Sequence, residues 1–369
     1  MRPPSRDRLT ALLLNNATAI IFVVVFVYFG ARAGNFFSAE NTLNIVKQAS
    51  FVGVIAVGMT FVLLTAGIDL SVGSNMYVSA MTVGYFLRLP GMDGAFGVFA
   101  GVVVGLATGA AFGAINATCV VYLRITPFLV TLATMVAGHG LVTAITESFG
   151  IDYPLAFTGF GASSIGGVPL PIVVFALVVA LAHVVLTRTA FGRQVYAVGN
   201  SPEAARKAGI DVNRIVFAVY VVSGVCSALG GVMLIALVGR LNQTFGVGKE
   251  FDVITAAVLG GTSLFGGVGG AFGAVVGSVL VQMVQAGMIF VRVNLYLQPI
   301  VLAGIIFLAV FFDSLREARL VGLKRRFIRM DASRQTQHNR EEALAADQRR
   351  FPRALWARQS RRLHNPSKE

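Results

Sequence analysis

The chain has 369 residues, 56% hydrophobic and only 13% charged, with a mean hydropathy of +0.75. Soluble domains carry about a quarter charged residues, so a water-soluble globule is excluded, and the apolar runs lack the period-two alternation of a membrane β-barrel. What remains is an all-α polytopic membrane protein, its helices satisfying their own backbone in lipid, with a net charge of +13 gathered towards the C-terminus.

Ten spans are predicted, near 11–34, 43–66, 71–89, 96–123, 126–146, 169–187, 213–237, 252–265, 268–291 and 295–313. Several of the runs reach the roughly 20 residues that cross a bilayer. Arg2, Arg6 and Arg8 precede the first run, which ends near Ala31-Arg32-Ala33. That end resembles a signal-peptide cleavage site, but the run is long for a signal and is read as an uncleaved span. Cys119 and Cys226 fall inside spans and read as small packing residues. The largest outer loop, 147–168, holds Glu147 and Asp152 and no Lys or Arg.

Charge sets the expected orientation. With the N-terminus inside, predicted cytoplasmic segments hold 24 of the 30 Lys and Arg: three at the start, Arg124, five from Arg188 to Arg214, and fifteen in the tail. Excess basic charge marks the cytoplasmic side, and an even span count puts both termini there. The expected domains are a cytoplasmic N-terminus (1–10), a transmembrane domain (11–313) with a polar segment at 188–214, and a basic cytoplasmic tail (314–369). The tail reads as a solvated appendage able to touch anionic lipid, at roughly 1 kcal/mol per basic residue, and not as a nucleic-acid binder.

Glycines four apart (Gly101, Gly105, Gly109 and Gly113, then Gly269, Gly273 and Gly277) predict faces where helix backbones approach closely. The similar GAAFGA (109–114) and GGAFGA (269–274) hint at an internal repeat, as in many transporters.

Two stretches break the apolar pattern. LLTAGIDLSVGS, 63–74, places Gly67, Asp69, Ser71 and Gly73 between apolar runs. Asp69 or Ser71 is expected to cap the following helix. The break is either a short cytoplasmic turn or non-helical backbone inside the bundle, which is tolerated only against protein or a water-filled cavity. VLGGTSLFGGVGG, 258–270, has six glycines around Thr262 and Ser263. It is no phosphate loop, because no G-x-x-x-x-G-K-[ST] occurs; GVGKE, 246–250, is the nearest fragment. The chain is therefore not expected to hydrolyse ATP, and no metal or catalytic cluster stands out.

The polar segment encodes a short helix, Pro202–Ala208. Ser201 suits the N-cap, Pro202 the first turn, Glu203 the positive end, Arg206 and Lys207 the negative end, and Gly209 the stop. So short a helix needs a surface to rest on.

AGIDLSVGS, TPFLVTLATM (126–135), AFGRQVYAVGNSPEAARKAGI (190–210) and DVITAAVLGGTSLFGGVGG (252–270) occur in this order over some 250 residues. In them the chain resembles the permease subunits of bacterial ABC importers for simple sugars, the ribose-permease-like family. The resemblance implies the transmembrane subunit of an ATP-driven importer of a monosaccharide (ribose-, xylose- or galactose-like) in the bacterial inner membrane. It implies a second permease copy, identical or related, an ABC ATPase that holds the ATP and Mg, and a periplasmic sugar-binding protein. This chain would carry no cofactor.

By the same resemblance Asn200, Ser201, Pro202, Glu203, Ala204, Ala205, Arg206, Gly209 and Ile210 belong to a helix that couples to the ATPase. Asp69, Ser71, Asn75, His139, Thr262 and Ser263 are the translocation-pathway candidates. The chain departs from the family pattern at His139, where members often have a basic residue nearby, and at Glu147-Ser148, where glycines are frequent. The tail after Arg326 is longer and more basic than the pattern. Rival readings are an ABC permease for a branched-chain amino acid, nucleoside or signalling furanose, and an autonomous secondary transporter. The latter is disfavoured because Asp69, His139 and Glu147 are few and scattered.

Overall fold

The computed structural model describes residues 17–32, 34–305, 307–308 and 311. The expected N-terminal segment 1–10 and the tail 314–369 lie outside the described residues.

The described chain is helical, with four two-residue strands. In chain order the helices are α1 (Ala17–Arg32), α2 (Ala39–Leu64), α3 (Val72–Phe86), α4 (Ala95–Val121), α5 (Pro127–Thr146), α6 (Leu155–Ala162), α7 (Leu170–Arg188), α8 (Ala190–Asn200), α9 (Pro202–Lys207), α10 (Val212–Val238), α11 (Lys249–Leu259) and α12 (Ala271–Phe290). A 3-10 turn, Leu295–Leu297, then leads into a helix over 298–305.

Six of these helices, α2, α4, α5, α7, α10 and α12, are long and apolar enough to cross a membrane. The segments expected to span near 71–89 and 252–265 are shorter helices. α3 has 15 residues and α11 has 11, so at 1.5 Å per residue they reach only about 22 and 16 Å of a hydrocarbon core about 30 Å thick.

Burial sorts the helices into layers. α2 is central, with 83% of its apolar window buried, against 22% for α5 and 28% for α4 and α7. The outer helices expose large apolar side chains such as Phe99, Val136 and Leu181. A soluble protein would bury these faces; in a bilayer they meet acyl chains.

The glycine stripes pack as their spacing predicts. On α4, a Cβ added to Gly109 would lie 2.5 Å from Gly224 O, and one on Gly113 would lie 2.4 Å from Tyr220 O, both on α10. On α12, one on Gly277 would lie 1.8 Å from Ala256 O of α11. Only a glycine permits main-chain approach of this kind.

The loop over 147–168 is more structured than expected. Ile151–Asp152 pairs antiparallel with Arg240–Leu241, with Ile151 opposite Leu241. A second hairpin joins Ser164–Ile165 to Val168–Pro169. Between them α6 seats Gly161 against Ala236 of α10.

Candidate functional site

The break after α2 is not a solvent turn. Asp69 is 2% exposed and meets Ser223, twelve residues past the α10 N-cap Asp211, about 18 Å along that helix. A carboxylate that deep must have its oxygens satisfied, and it does. Oδ1 accepts the Ser71 N–H at 3.0 Å and the Ser71 hydroxyl at 2.6 Å, and Oδ2 accepts the Ser223 hydroxyl at 2.8 Å. Asn116 Nδ2 of α4 donates to Ser71 Oγ at 2.7 Å, and Thr134 of α5 donates to Asn116 Oδ1 at 2.8 Å. Tyr220 OH donates to Ile68 O at 3.1 Å. The network thus ties the start of α3 to α4, α5 and α10. Ser71 holds the N-cap position, yet its side chain makes no cap bond, because it serves Asp69.

Asn75 is buried as well, donating to Gly224 O at 3.1 Å and Gly109 O at 3.4 Å. It pins the α4–α10 glycine crossing. His139 stands apart from this network, half-buried on α5 with its ring 5.4 Å from that of Tyr77.

α3 and α11 begin at one point. A Cβ on Gly73 would lie 2.3 Å from Gly246 O and 2.7 Å from Glu250 Oε2. From there they run apart: α3 brings Gly84 under Ile151 and Tyr153, while α11 brings Gly260 against Gly273. They are two half-length helices with facing N-termini inside the bundle, the arrangement of discontinuous helices around midplane sites in transporters.

The second break folds around Thr262 and Ser263. Ser263 N donates to Val268 O at 2.8 Å, and Ser263 Oγ accepts the Phe265 N–H at 3.2 Å. Thr262 is fully buried against Gly269, its hydroxyl without a hydrogen-bond partner among the described residues.

The two breaks meet. Gly267 N donates to Leu64 O at 2.9 Å. The end of α8 lies on that contact: a Cβ on Gly199 would sit 1.8 Å from Leu64 O and 2.7 Å from Gly267 N. Asn200 borders Gly267, and Tyr196 OH donates to Gly269 O at 2.8 Å. α8 falls in the polar segment 188–214, where the sequence predicts only the short helix that follows it. Its signals are a Thr189 cap, whose Oγ1 accepts Gly192 N–H at 3.1 Å, and buried Gly192, Val195 and Val198 at a spacing of three.

α9 follows as a capped knuckle, one residue shorter than expected because Ala208 is its C-cap. Ser201 Oγ accepts the Ala204 N–H at 3.2 Å, Pro202 occupies the first turn, and Ile210 N donates to Ala205 O at 3.0 Å. Gly209 takes φ +82°, the left-handed stop that glycine adopts without strain. Ala205 is buried, whereas Glu203 and Lys207 pair at 3.0 Å on the open face. Ala204 and Arg206 are exposed beside them.

The sequence reading also passed over Lys249, Asp252 and Gln285. Lys249 Nζ lies 2.8 Å from Asp252 Oδ2, and Gln285 Nε2 donates to Asp252 Oδ1 at 3.2 Å. The signal was a charged pair three apart beside an apolar run, set aside with GVGKE as a failed phosphate loop. No group of three or more His, Cys, Asp or Glu placed to hold a metal ion occurs among the described residues.

With this geometry in view, residues 41–310 match the family described as the permease component of branched-chain amino acid transport systems. The chain is 35% identical to the D-allose transport system permease protein AlsC of Escherichia coli K12, over 81% of this chain and 91% of the relative. It is 34% identical to the ribose import permease protein RbsC of the same strain, over 83% and 96%. It is 37% identical to the fructose import permease protein FrcC of Rhizobium meliloti, over 73% and 76%. No solved structure matches the chain. A match over most of its length, and over nearly all of two of these relatives, shows that the chain belongs to this family of permease components: it is a multi-pass membrane transport subunit and not an enzyme.

Proposed function

We propose that the chain is the membrane-spanning subunit of an ATP-driven ABC importer and forms the passage for a monosaccharide across the bacterial inner membrane. The observation that carries the sugar assignment is the run of relatives named for allose, ribose and fructose, each more than 30% identical. Domain 11–313 would cross the membrane about ten times, α3 and α11 counting as broken spans. Both termini and the tail 314–369 would be cytoplasmic. A second permease copy would complete the pore, an ABC ATPase would bind ATP and Mg on the cytoplasmic face, and a periplasmic sugar-binding protein would deliver the solute.

In this reading the knuckle from Asn200 to Ile210, with Glu203 and Arg206 on its open side, docks on the ATPase. The junction of Gly199, Leu64 and Gly267 supports that role, because α8 rests on the contact between the two breaks. Movement of α9 would thus reach both breaks at once. Asp69, Ser71, Asn75, Thr262, Ser263 and His139 would border the passage, the first five buried in its frame and His139 half-buried.

Reconstituted uptake tests the reading. The chain is placed in liposomes with and without its ATPase and binding protein and offered labelled pentoses, hexoses and leucine. Sugar uptake that requires ATP and both partners is expected. Gradient-driven uptake by this chain alone would refute it.

A further inference from the structure

The Lys249–Asp252 pair and Gln285 do not belong to the frame of the breaks or to the knuckle. They sit where α11 begins, beside the meeting point of the two half-helices. Gln285 is the fifteenth residue of α12, about 21 Å along it. Asp252 and Gln285 form the polar floor of a groove of about 720 Å³, whose walls include Phe251, Pro299, Leu302 and Phe307. Phe251 and Phe307 are exposed. Glu250, behind them, is buried with Oε2 unpartnered among the described residues.

Gln285 is also only five residues from the end of α12, so the groove lies towards that end of the helix; ionisable side chains within a membrane-spanning segment still do not face hydrocarbon, so water or protein must cover it. Its chemistry selects among solutes. Lys249 is already engaged by Asp252, and the described lining residues offer no free cation to receive a solute carboxylate. An acceptor and an amide between two aromatic faces instead suit a neutral polyhydroxylated ring. Hydroxyls can hydrogen-bond the floor while C–H faces lie against Phe251 and Phe307.

We infer that this groove is the surface of the permease that contacts the passing solute, and that its ligand is a neutral monosaccharide. Asp252 accepts from sugar hydroxyls, Gln285 donates to and accepts from them, and Lys249 fixes the Asp252 carboxylate. The groove is open at Phe251 and Phe307, and in the proposed pore a second copy of the chain would cover that side. This inference rests on the sugar-permease reading.

The test uses the full-length permease with its ATPase and binding protein in liposomes, comparing Gln285→Ala, Gln285→Asn and Phe251→Leu with wild type. Sugar uptake per ATP hydrolysed is read for labelled ribose, xylose, allose and galactose. Thermal midpoint and binding-protein-stimulated ATPase rate are the controls for folding and coupling. Gln285→Ala is expected to lower uptake per ATP about tenfold, the effect of losing one good hydrogen bond, with Gln285→Asn milder. Phe251→Leu is expected to change the ratio of pentose to hexose uptake. If wild type imports sugar and all three variants match it for every sugar, the groove is not the contact surface. If wild type imports no sugar with ATP and both partners present, the sugar-permease reading itself fails, and the ligand assignment with it.

Discussion

Gly199→Ala would place a methyl group 1.8 Å from Leu64 O and 2.7 Å from Gly267 N, where ordinary contact begins at 3.4 Å. Both neighbours are main-chain atoms, so no side chain can rotate aside. The α2 end and the glycine-rich loop must separate from α8 by about 1.5 Å, enough to break the 2.9 Å bond from Gly267 N to Leu64 O. Overpacking costs about 1–3 kcal/mol, and stranding a buried donor and acceptor costs about 1–3 kcal/mol more. The helical preference of Ala over Gly returns up to about 1 kcal/mol. The net expectation is a loss of about 1–6 kcal/mol, read as a lowered thermal midpoint in detergent, together with loss of ATP-driven uptake. Gly140→Ala on α5 is the matched control. Its added methyl meets nothing within 4 Å, so the same change should stabilise by about 0.5–1 kcal/mol. A Gly199→Ala protein as stable and as active as Gly140→Ala would refute the junction.

Asp69→Ala strands the Ser71 N–H and the hydroxyls of Ser71 and Ser223. A loss of about 1–3 kcal/mol is expected, visible as reduced yield of folded protein and a lower thermal midpoint. Glu203→Ala removes one partner of an ion pair whose side chains are 81% and 77% exposed. It should therefore change permease stability by less than about 1 kcal/mol, while weakening co-purification of the ATPase; unchanged co-purification would count against the docking role. Thr262→Val removes a buried hydroxyl without a hydrogen-bond partner among the described residues. It should leave stability unchanged or raised by about 1 kcal/mol, and a clear fall in the thermal midpoint would show that the hydroxyl is satisfied in the folded protein.

What was legible in the sequence was local. The α9 helix could be read from Ser201, Pro202 and Gly209 because capping and stop chemistry act within a few residues. The breaks at 63–74 and 258–270 could be read because glycine and aspartate interrupt apolar runs wherever they occur. The partners of those breaks could not: Asn116 and Ser223 lie 45 and 154 residues from the groups they bond, and no periodicity links them. Depth was illegible too. An apolar run around 252–265 looks like a span, but hydropathy does not reveal that its helix starts well inside the bundle against Gly73. Asp252 and Gln285 went unread together because they share a site only once α11 has folded back along α12.

The contact between Leu64, Gly199 and Gly267 is made by main chain alone, and this constrains how such a permease can vary. Where two side chains meet, one exchange can be answered by another, so the pair can drift together through a lineage. Here the carbonyl of residue 64 and the amide of residue 267 belong to every amino acid except, for the amide, proline, so no partner change can make room for a side chain at position 199. A complete substitution scan should then show strict glycine requirement at 199, and second-site searches starting from Gly199→Ala should return reversion to glycine far more often than suppressors at the facing positions.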